Sequence, residues 1–160
     1  MPVTLDRIDR QILALLQNDG GLSASDLADR IGMTPPPCWR RVKRLKDSGV
    51  LARQIWHLDP ERLGLAVTIF ATVKLATHDA AATTAFRTEI RKLPEVLECY
   101  VLLGTIDVLL KIVVPEIRYY EEFFYRQLSQ LPSVREVTSS VVMSEVKHTA
   151  ALPLELIPPE

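Results

Sequence analysis

Six cations crowd into residues 34–53: Arg40, Arg41, Lys43, Arg44, Lys46 and Arg53, against the single acid Asp47. Guanidinium and ammonium groups set close together on one element can bond phosphate oxygens, and arginine can also bond guanine through two parallel hydrogen bonds. The rest of the chain is charged the other way. Residues 1–58 hold nine Lys/Arg and six Asp/Glu, while residues 59–160 hold ten and fourteen. A net charge of −1 therefore hides a basic part and an acidic part. A local polyanion footprint on a two-part protein is the expectation. A solvated helix face is the ordinary alternative for a charge run, but such faces mix signs at i, i+4 and this one does not.

Other chemistry has little support. His57, His78 and His148 have neither metal-pair spacing nor a nucleophile motif around them. His148 with Ser139 and Ser140 lacks an acid placed to orient it, so no enzyme is expected. Cys38 and Cys99 lack metal-ligand spacing, and two cysteines make no disulfide scaffold. No metal and no cofactor is expected. No apolar run reaches the roughly 18 residues that a membrane span needs, and the charged residues of the first twenty positions do not suit a signal peptide. A soluble, cytoplasmic, nucleoid-associated protein is the expectation.

The cations need a scaffold, and residues 1–50 read as three short helices. Leu5, Ile8, Ile12, Leu15 and Leu16 repeat at helical spacing over about 5–17, with Thr4 as a candidate cap. Ser23 to Asp26 has the form of a capping box for a helix over about 23–31. After Gly32-Met33-Thr34, a helix starts at Pro35, with Thr34 as N-cap, and runs to about Ser48, with Gly49 beyond it. On a wheel at ~100° per residue, Cys38, Val42 and Leu45 face inward. Arg40, Lys43 and Arg44 face outward, with Arg41 and Lys46 on the flanks. Burial on that inner face makes Cys38 a packing residue rather than a thiol sensor. Trp39, on a flank, is expected to pack against a helix or a partner; stacking on a base is the alternative. Two helices joined by a glycine turn, the second cationic on one face, form a helix-turn-helix. Its second helix enters the major groove by its N-terminal part. The candidate DNA contacts are Thr34, Pro36, Pro37, Arg40, Arg41, Lys43 and Arg44.

Residues 51–64 form a linker, with an extended arm or strand over 50–58 and a turn at Asp59-Pro60. From Leu65 to Leu75, Leu65, Val67, Ile69, Ala71, Val73 and Leu75 alternate against Thr68, Phe70, Thr72 and Lys74, as in a strand with one core face. Helices are expected over 79–93 and 116–130, and strands over 97–103, 107–114 and 134–146. A weak internal repeat supports this: Leu93-Pro94-Glu95-Val96 and Leu131-Pro132-Ser133-Val134 each sit between a helix and the next strand. The class is α+β. An N-terminal winged helix-turn-helix domain (residues 1–50) precedes a C-terminal ferredoxin-like βαββαβ domain (residues 65–160). Helices cover one sheet face. The other keeps Phe70 and Leu102, more apolar surface than a monomer ordinarily exposes, so at least a homodimer is expected.

The chain resembles the Lrp/AsnC (feast/famine) family over essentially its whole length. The carriers are Leu5-Asp6-Arg7-Ile8-Asp9, Thr34 to Val42, Asp59 to Gly64, Pro94 to Tyr100, Lys147-His148-Thr149 and Ala151 to Leu154. The resemblance implies a regulator that binds double-stranded operator DNA, dimers assembling into tetramers or octamers, and an amino-acid-like effector bound between second domains. In the family the loop between the second and third strands usually reads Gly, Asp, any residue, Asp, aromatic. Here it reads Gly104, Thr105, Ile106, Asp107, Val108, so the first acid and the aromatic are missing. Those five residues, Tyr100, and Thr138, Ser139 and Ser140 of the last strand form the effector set that the resemblance implies. Losing one carboxylate weakens recognition of an ammonium group. A less polar effector, a weaker amino-acid response or none is expected, and Asp107 as a simple cap of the strand turn stays open. An architectural DNA-wrapping protein without effector is the alternative function.

Overall fold

In the computed structural model, which describes residues 3–77 and 79–158, the chain divides into two units: Met1–His57 with Lys147–Glu160, and Leu58–Val146. The second of the three histidines, His78, lies outside the described residues.

The first unit holds three helices, α1 (Arg7–Asn18), α2 (Ala24–Ile31) and α3 (Pro35–Asp47). Its core joins Leu5, Ile12 and Leu13 of the first segment to Leu27 and Ala28 of α2 and to Cys38 and Leu45 of α3. Fully burying one such leucine or isoleucine contributes about 1.5–3 kcal/mol, so this small core holds the unit together. The cap of α1 is not Thr4. Asp6 takes the N-cap, accepts from the Asp9 amide, and its own amide donates to the Asp9 carboxylate, a reciprocal capping box with aspartate at both ends. Ser23 and Asp26 repeat the device on α2. Gly32 ends α2 at φ +70°, a left-handed conformation that glycine adopts without steric cost.

The C-terminal segment belongs to this first unit, although sequence order alone places it with the second domain. Arg10 donates to the carbonyls of Ile157 (3.0 Å) and Pro158 (2.6 Å). The Gln17 amide donates to the Leu152 carbonyl (3.1 Å) and its oxygen accepts from the Leu152 amide (2.9 Å). Leu154 and Ile157 pack against the three-helix core. A core this small leaves apolar surface on α1, and a returning segment with leucines and an isoleucine covers it. Residues 52–58 belong to no helix or strand.

The second unit is one antiparallel sheet carrying two helices. Its strands are β1 (Val67–Leu75), β2 (Val96–Val101), β3 (Val108–Val114) and β4 (Val134–Val141), in the order β2-β3-β1-β4; α4 (Ala80–Ile90) and α5 (Ile117–Arg126) connect them. This is the expected ferredoxin-like βαββαβ arrangement. The alternation in β1 sends Ile69, Ala71, Val73 and Leu75 into a core shared with Phe86 and Ile90 of α4 and Tyr120 and Phe123 of α5. The internal repeat has a structural meaning: the Val96 amide donates to Leu93 and the Val134 amide to Leu131, both at 3.2 Å. Each Leu-Pro-X-Val stretch closes the same hydrogen bond between helix and strand, with Ser133 at a left-handed φ of 63° where Glu95 has none. β4 ends at Val141, shorter than the run to Val146 suggested by its valines.

Deleting residues 152–158 is expected to remove about 1–3 kcal/mol from the first unit, by loss of two half-buried apolar side chains. Hydrogen exchange should speed up at the α1 amides and not at those of β1. Unchanged α1 protection would show that the segment does not stabilise the helices.

Candidate nucleic-acid interface and ligand loop

The N-terminus of α3 is unusual as an anion site. Pro35, Pro36 and Pro37 fill its first three positions, so three of the amides that a helix start normally presents to phosphate do not exist here. Thr34 caps by backbone conformation alone, without a side-chain cap bond, and is exposed; Pro36 is exposed and Pro37 half-buried. Any anion binding at this end must come from side chains and the helix dipole.

Arg40 and Lys43 lie on the outward side of α3, both exposed, and the Lys43 ammonium lies 5.5 Å from the centre of the Trp39 ring. Trp39 is itself half exposed, so it packs on its i+4 lysine rather than into the core. Cys38 is buried, and burial pushes its thiol pKa up.

Arg44 departs from its outward place on the wheel, and Arg41 reaches inward from its flank. Both turn back to α1. Arg41 donates to Asp6 (2.6 Å) and to Asp9 (2.9 Å), and Arg44 donates to the other oxygen of Asp9. Asp9 has no solvent exposure at all. A buried carboxylate without cations and hydrogen bonds costs several kcal/mol, so the long, flexible arginines bend inward to meet it. The Asp9 amide, foremost, and the Arg41 guanidinium hold the Asp6 carboxyl below the usual carboxylate range, and the Asp6 bond, foremost, raises Arg41. The signal for this was present in the sequence: an acid, Asp9, sits on the apolar stripe of α1 beside Ile12 and Leu13.

In the second unit the strand pleat sorts the expected effector residues. Val108 faces inward and is buried in the core, so its side chain is not part of the loop surface. Thr138 and Ser140 pair with Thr72 and Phe70 on the uncovered sheet face. Ser139 lies on the opposite face, where its hydroxyl is 2.5 Å from that of Tyr120 on α5. The three consecutive residues therefore do not line one surface, because side chains alternate along a strand. Gly104 and Thr105 are exposed and Ile106 is half-buried. Asp107 is engaged with the backbone through three groups. Its carboxylate accepts from the Leu75 amide (2.7 Å), its amide donates to Val73 (3.1 Å), and its carbonyl accepts from Leu102 (2.8 Å). These bonds tie the loop to the end of β1. Tyr100 is exposed and donates to Glu98 (2.7 Å), a hydrogen bond that, with the Glu98 charge, raises the phenol pKa. The uncovered face also carries the cross-strand pairs Lys74–Glu136 (3.0 Å) and Lys111–Glu98 (3.5 Å).

Among the described residues, no group of three or more His, Cys, Asp or Glu could hold a metal ion, and no helix is long and apolar enough to cross a membrane.

A family model described as winged helix-turn-helix DNA-binding matches residues 5–52, and one described as Lrp/AsnC ligand binding domain matches residues 68–152. The DNA-binding transcriptional activator DecR of Escherichia coli (strain K12) is 40% identical over 151 residues, 94% of this chain and 99% of DecR. A crystal structure of an AsnC family transcriptional regulator from Agrobacterium tumefaciens superposes with a TM-score of 0.91 at 36% identity, over 96% of this chain and 100% of that one. A transcriptional regulator from Neisseria meningitidis, solved as a complex with L-Met, has the same TM-score and identity over 94% and 97% of the two chains.

The Asp6 cap carries a pH dependence. Its folded pKa lies below the unfolded value of about 3.9, so its contribution is complete above that pH and is lost as pH falls through the folded value. Asp6→Asn should therefore be less stable than wild type at pH 7, and the gap between the two acid-unfolding curves should close below about pH 4. A gap independent of pH would mean that the carboxylate charge is irrelevant to α1.

Proposed function

Since the chain belongs to the Lrp/AsnC family of transcriptional regulators, we propose that it is a sequence-specific DNA-binding regulator whose α3 enters the major groove, in the cytoplasm and on the nucleoid. The observation that carries this reading is the outward pair Arg40 and Lys43 on α3, backed by a buried apolar face of the same helix. Arg40 is the candidate for bidentate contact with guanine and Lys43 for phosphate contact. Thr34 and Pro36, at the leading end, supply a hydroxyl and an apolar contact. Arg41 and Arg44, drawn toward α1, act on DNA indirectly. Three prolines at the helix start make this protein more dependent on its side-chain cations than a helix with free amides would be.

The second unit is the sensing and assembly part. Phe70 and Tyr100, exposed on the uncovered sheet face, suit pairing with a second copy, and such dimers would build tetramers or octamers. Two-fold pairing also suits a helix-turn-helix, which reads two half-sites. The effector is a small amino-acid-like metabolite held near Gly104, Thr105 and Ile106, with Tyr100 and the hydroxyls of Thr138 and Ser140 at hand. Asp107 commits one carboxylate oxygen to the Leu75 amide, and Thr105 stands where the family usually has a second acid. Both features favour an effector bound less through its ammonium group than through its side chain.

A binding titration over a salt series, on the DNA upstream of the protein's own coding sequence, tests the reading. Specific binding that weakens steeply with salt is expected. Arg40→Ala should cost about 1–3 kcal/mol and relax discrimination at one base pair, and adding L-amino acids should change the wild-type affinity. Weak binding indifferent to sequence and to every amino acid would instead identify an architectural DNA-wrapping protein.

A further inference from the structure

We propose that Asp9 is a positioning and specificity residue for DNA recognition: it withholds Arg41 and Arg44 from the DNA-facing surface, so that the protein reads DNA with fewer cations than its sequence offers. The inference rests on the DNA-binding reading of α3 given above.

Asp9 is wholly buried in the first unit, on the helix face that carries Ile12 and Leu13. An apolar residue there would pack as well and need no partners; replacing buried ion pairs by packed hydrophobes is often neutral or stabilising. Apolar packing alone does not call for a carboxylate at this position. Besides accepting the Asp6 amide in the α1 capping box, Asp9 answers both arginines with its two separate oxygens, while Asp6 takes a second bond from Arg41. The consequence falls on α3. Of its five cations, Arg41 and Arg44 are paired with acids of the α1 start, Arg44 while its side chain stays half exposed, and Arg40, Lys43 and Lys46 have no salt bridge among the described residues.

Withholding charge has a definite effect on a DNA reader. Sequence-indifferent binding comes almost wholly from phosphate neutralisation, whereas base readout does not. Each cation removed from the surface therefore weakens non-specific binding more than specific binding, and the specificity ratio rises. The same bonds run from α1 to two successive turns of α3 and add directional contacts to the packing that sets the rotation of α3 about its own axis. That rotation sets which side chains, Arg40 and Lys43, point outward.

Salt slopes separate this role from simple folding. Wild type, Arg40→Gln, Arg44→Gln, Asp9→Asn and the double variant Asp9→Asn/Arg44→Gln are titrated with the upstream DNA and with a random duplex, and each is checked for its melting temperature. Each phosphate contact contributes about 0.9 to the slope of log affinity against log salt. Arg40→Gln should lower the slope by about that amount per bound protomer, and Arg44→Gln should leave it unchanged. Asp9→Asn leaves Arg41 bonded to Asp6 and releases Arg44, so it should steepen the slope by a similar amount and raise affinity for the random duplex several-fold, and adding Arg44→Gln should restore the wild-type slope. A loss of folding alone predicts none of that restoration. Should Asp9→Asn fail to fold, Arg44→Gln decides by itself, because it leaves Asp9 bonded to Arg41. A slope lowered equally by Arg40→Gln and Arg44→Gln, or an Asp9→Asn slope equal to wild type, overturns the proposal while leaving DNA recognition by α3 intact. A wild-type protein with no salt-dependent DNA binding overturns both.

Discussion

A carboxylate shut away from water must be met by cations, and the burial of Asp9 governs the DNA-binding unit of this protein. It draws Arg41 and Arg44 across from α3, links the start of α1 to two turns of α3, and shares Arg41 with the Asp6 cap. The apolar core of the unit is small, seven buried residues drawn from three helices and a leading segment. Hydrophobic contacts among so few side chains are non-directional. They hold α1 and α3 together and turn the Cys38 and Leu45 side of α3 inward. The ion pairs of Arg41 and Arg44 add directional contacts to that packing.

The same division between cohesion and direction recurs in the second unit. Packing of the β1 and β3 inner residues beneath α4 and α5 explains why the sheet forms. The position of the loop between β2 and β3 depends on something more specific, the three backbone bonds of Asp107 to Leu75, Val73 and Leu102. An acid that family resemblance assigns to a ligand has a local structural role as well. Thr105, a hydroxyl residue, is exposed in the same loop beside Gly104.

The architecture was legible in the sequence because its signals are periodic. The apolar stripes of α1, α2 and α3, the alternation along β1 and the duplicated Leu-Pro-X-Val turn each repeat often enough to fix element type and order. Events that involve single side chains reaching across space were not legible. A helical wheel assigns Arg44 to the outer face by the direction of its Cα–Cβ bond, but an arginine is long enough to come back around the helix to Asp9. The same limit applies to Thr138, Ser139 and Ser140. Their chemistry suggests one pocket, yet the pleat divides them between two faces. The C-terminal segment escapes sequence reasoning for a different reason: adjacency to β4 says nothing about which core has apolar surface left to cover, and the three-helix unit does.

The most direct test of the central claim is to observe the arginine side chains themselves. In a protein labelled with 15N, the guanidinium resonances of Arg40, Arg41 and Arg44 are assigned by substitution and followed as upstream DNA is added. The account predicts that Arg41 and Arg44 give slowly exchanging signals before DNA is present and keep their shifts afterwards, while Arg40 gains protection and moves on binding. A large shift of Arg44, with loss of its coupling to Asp9, would show that the arginine leaves the carboxylate to contact DNA, contradicting the account.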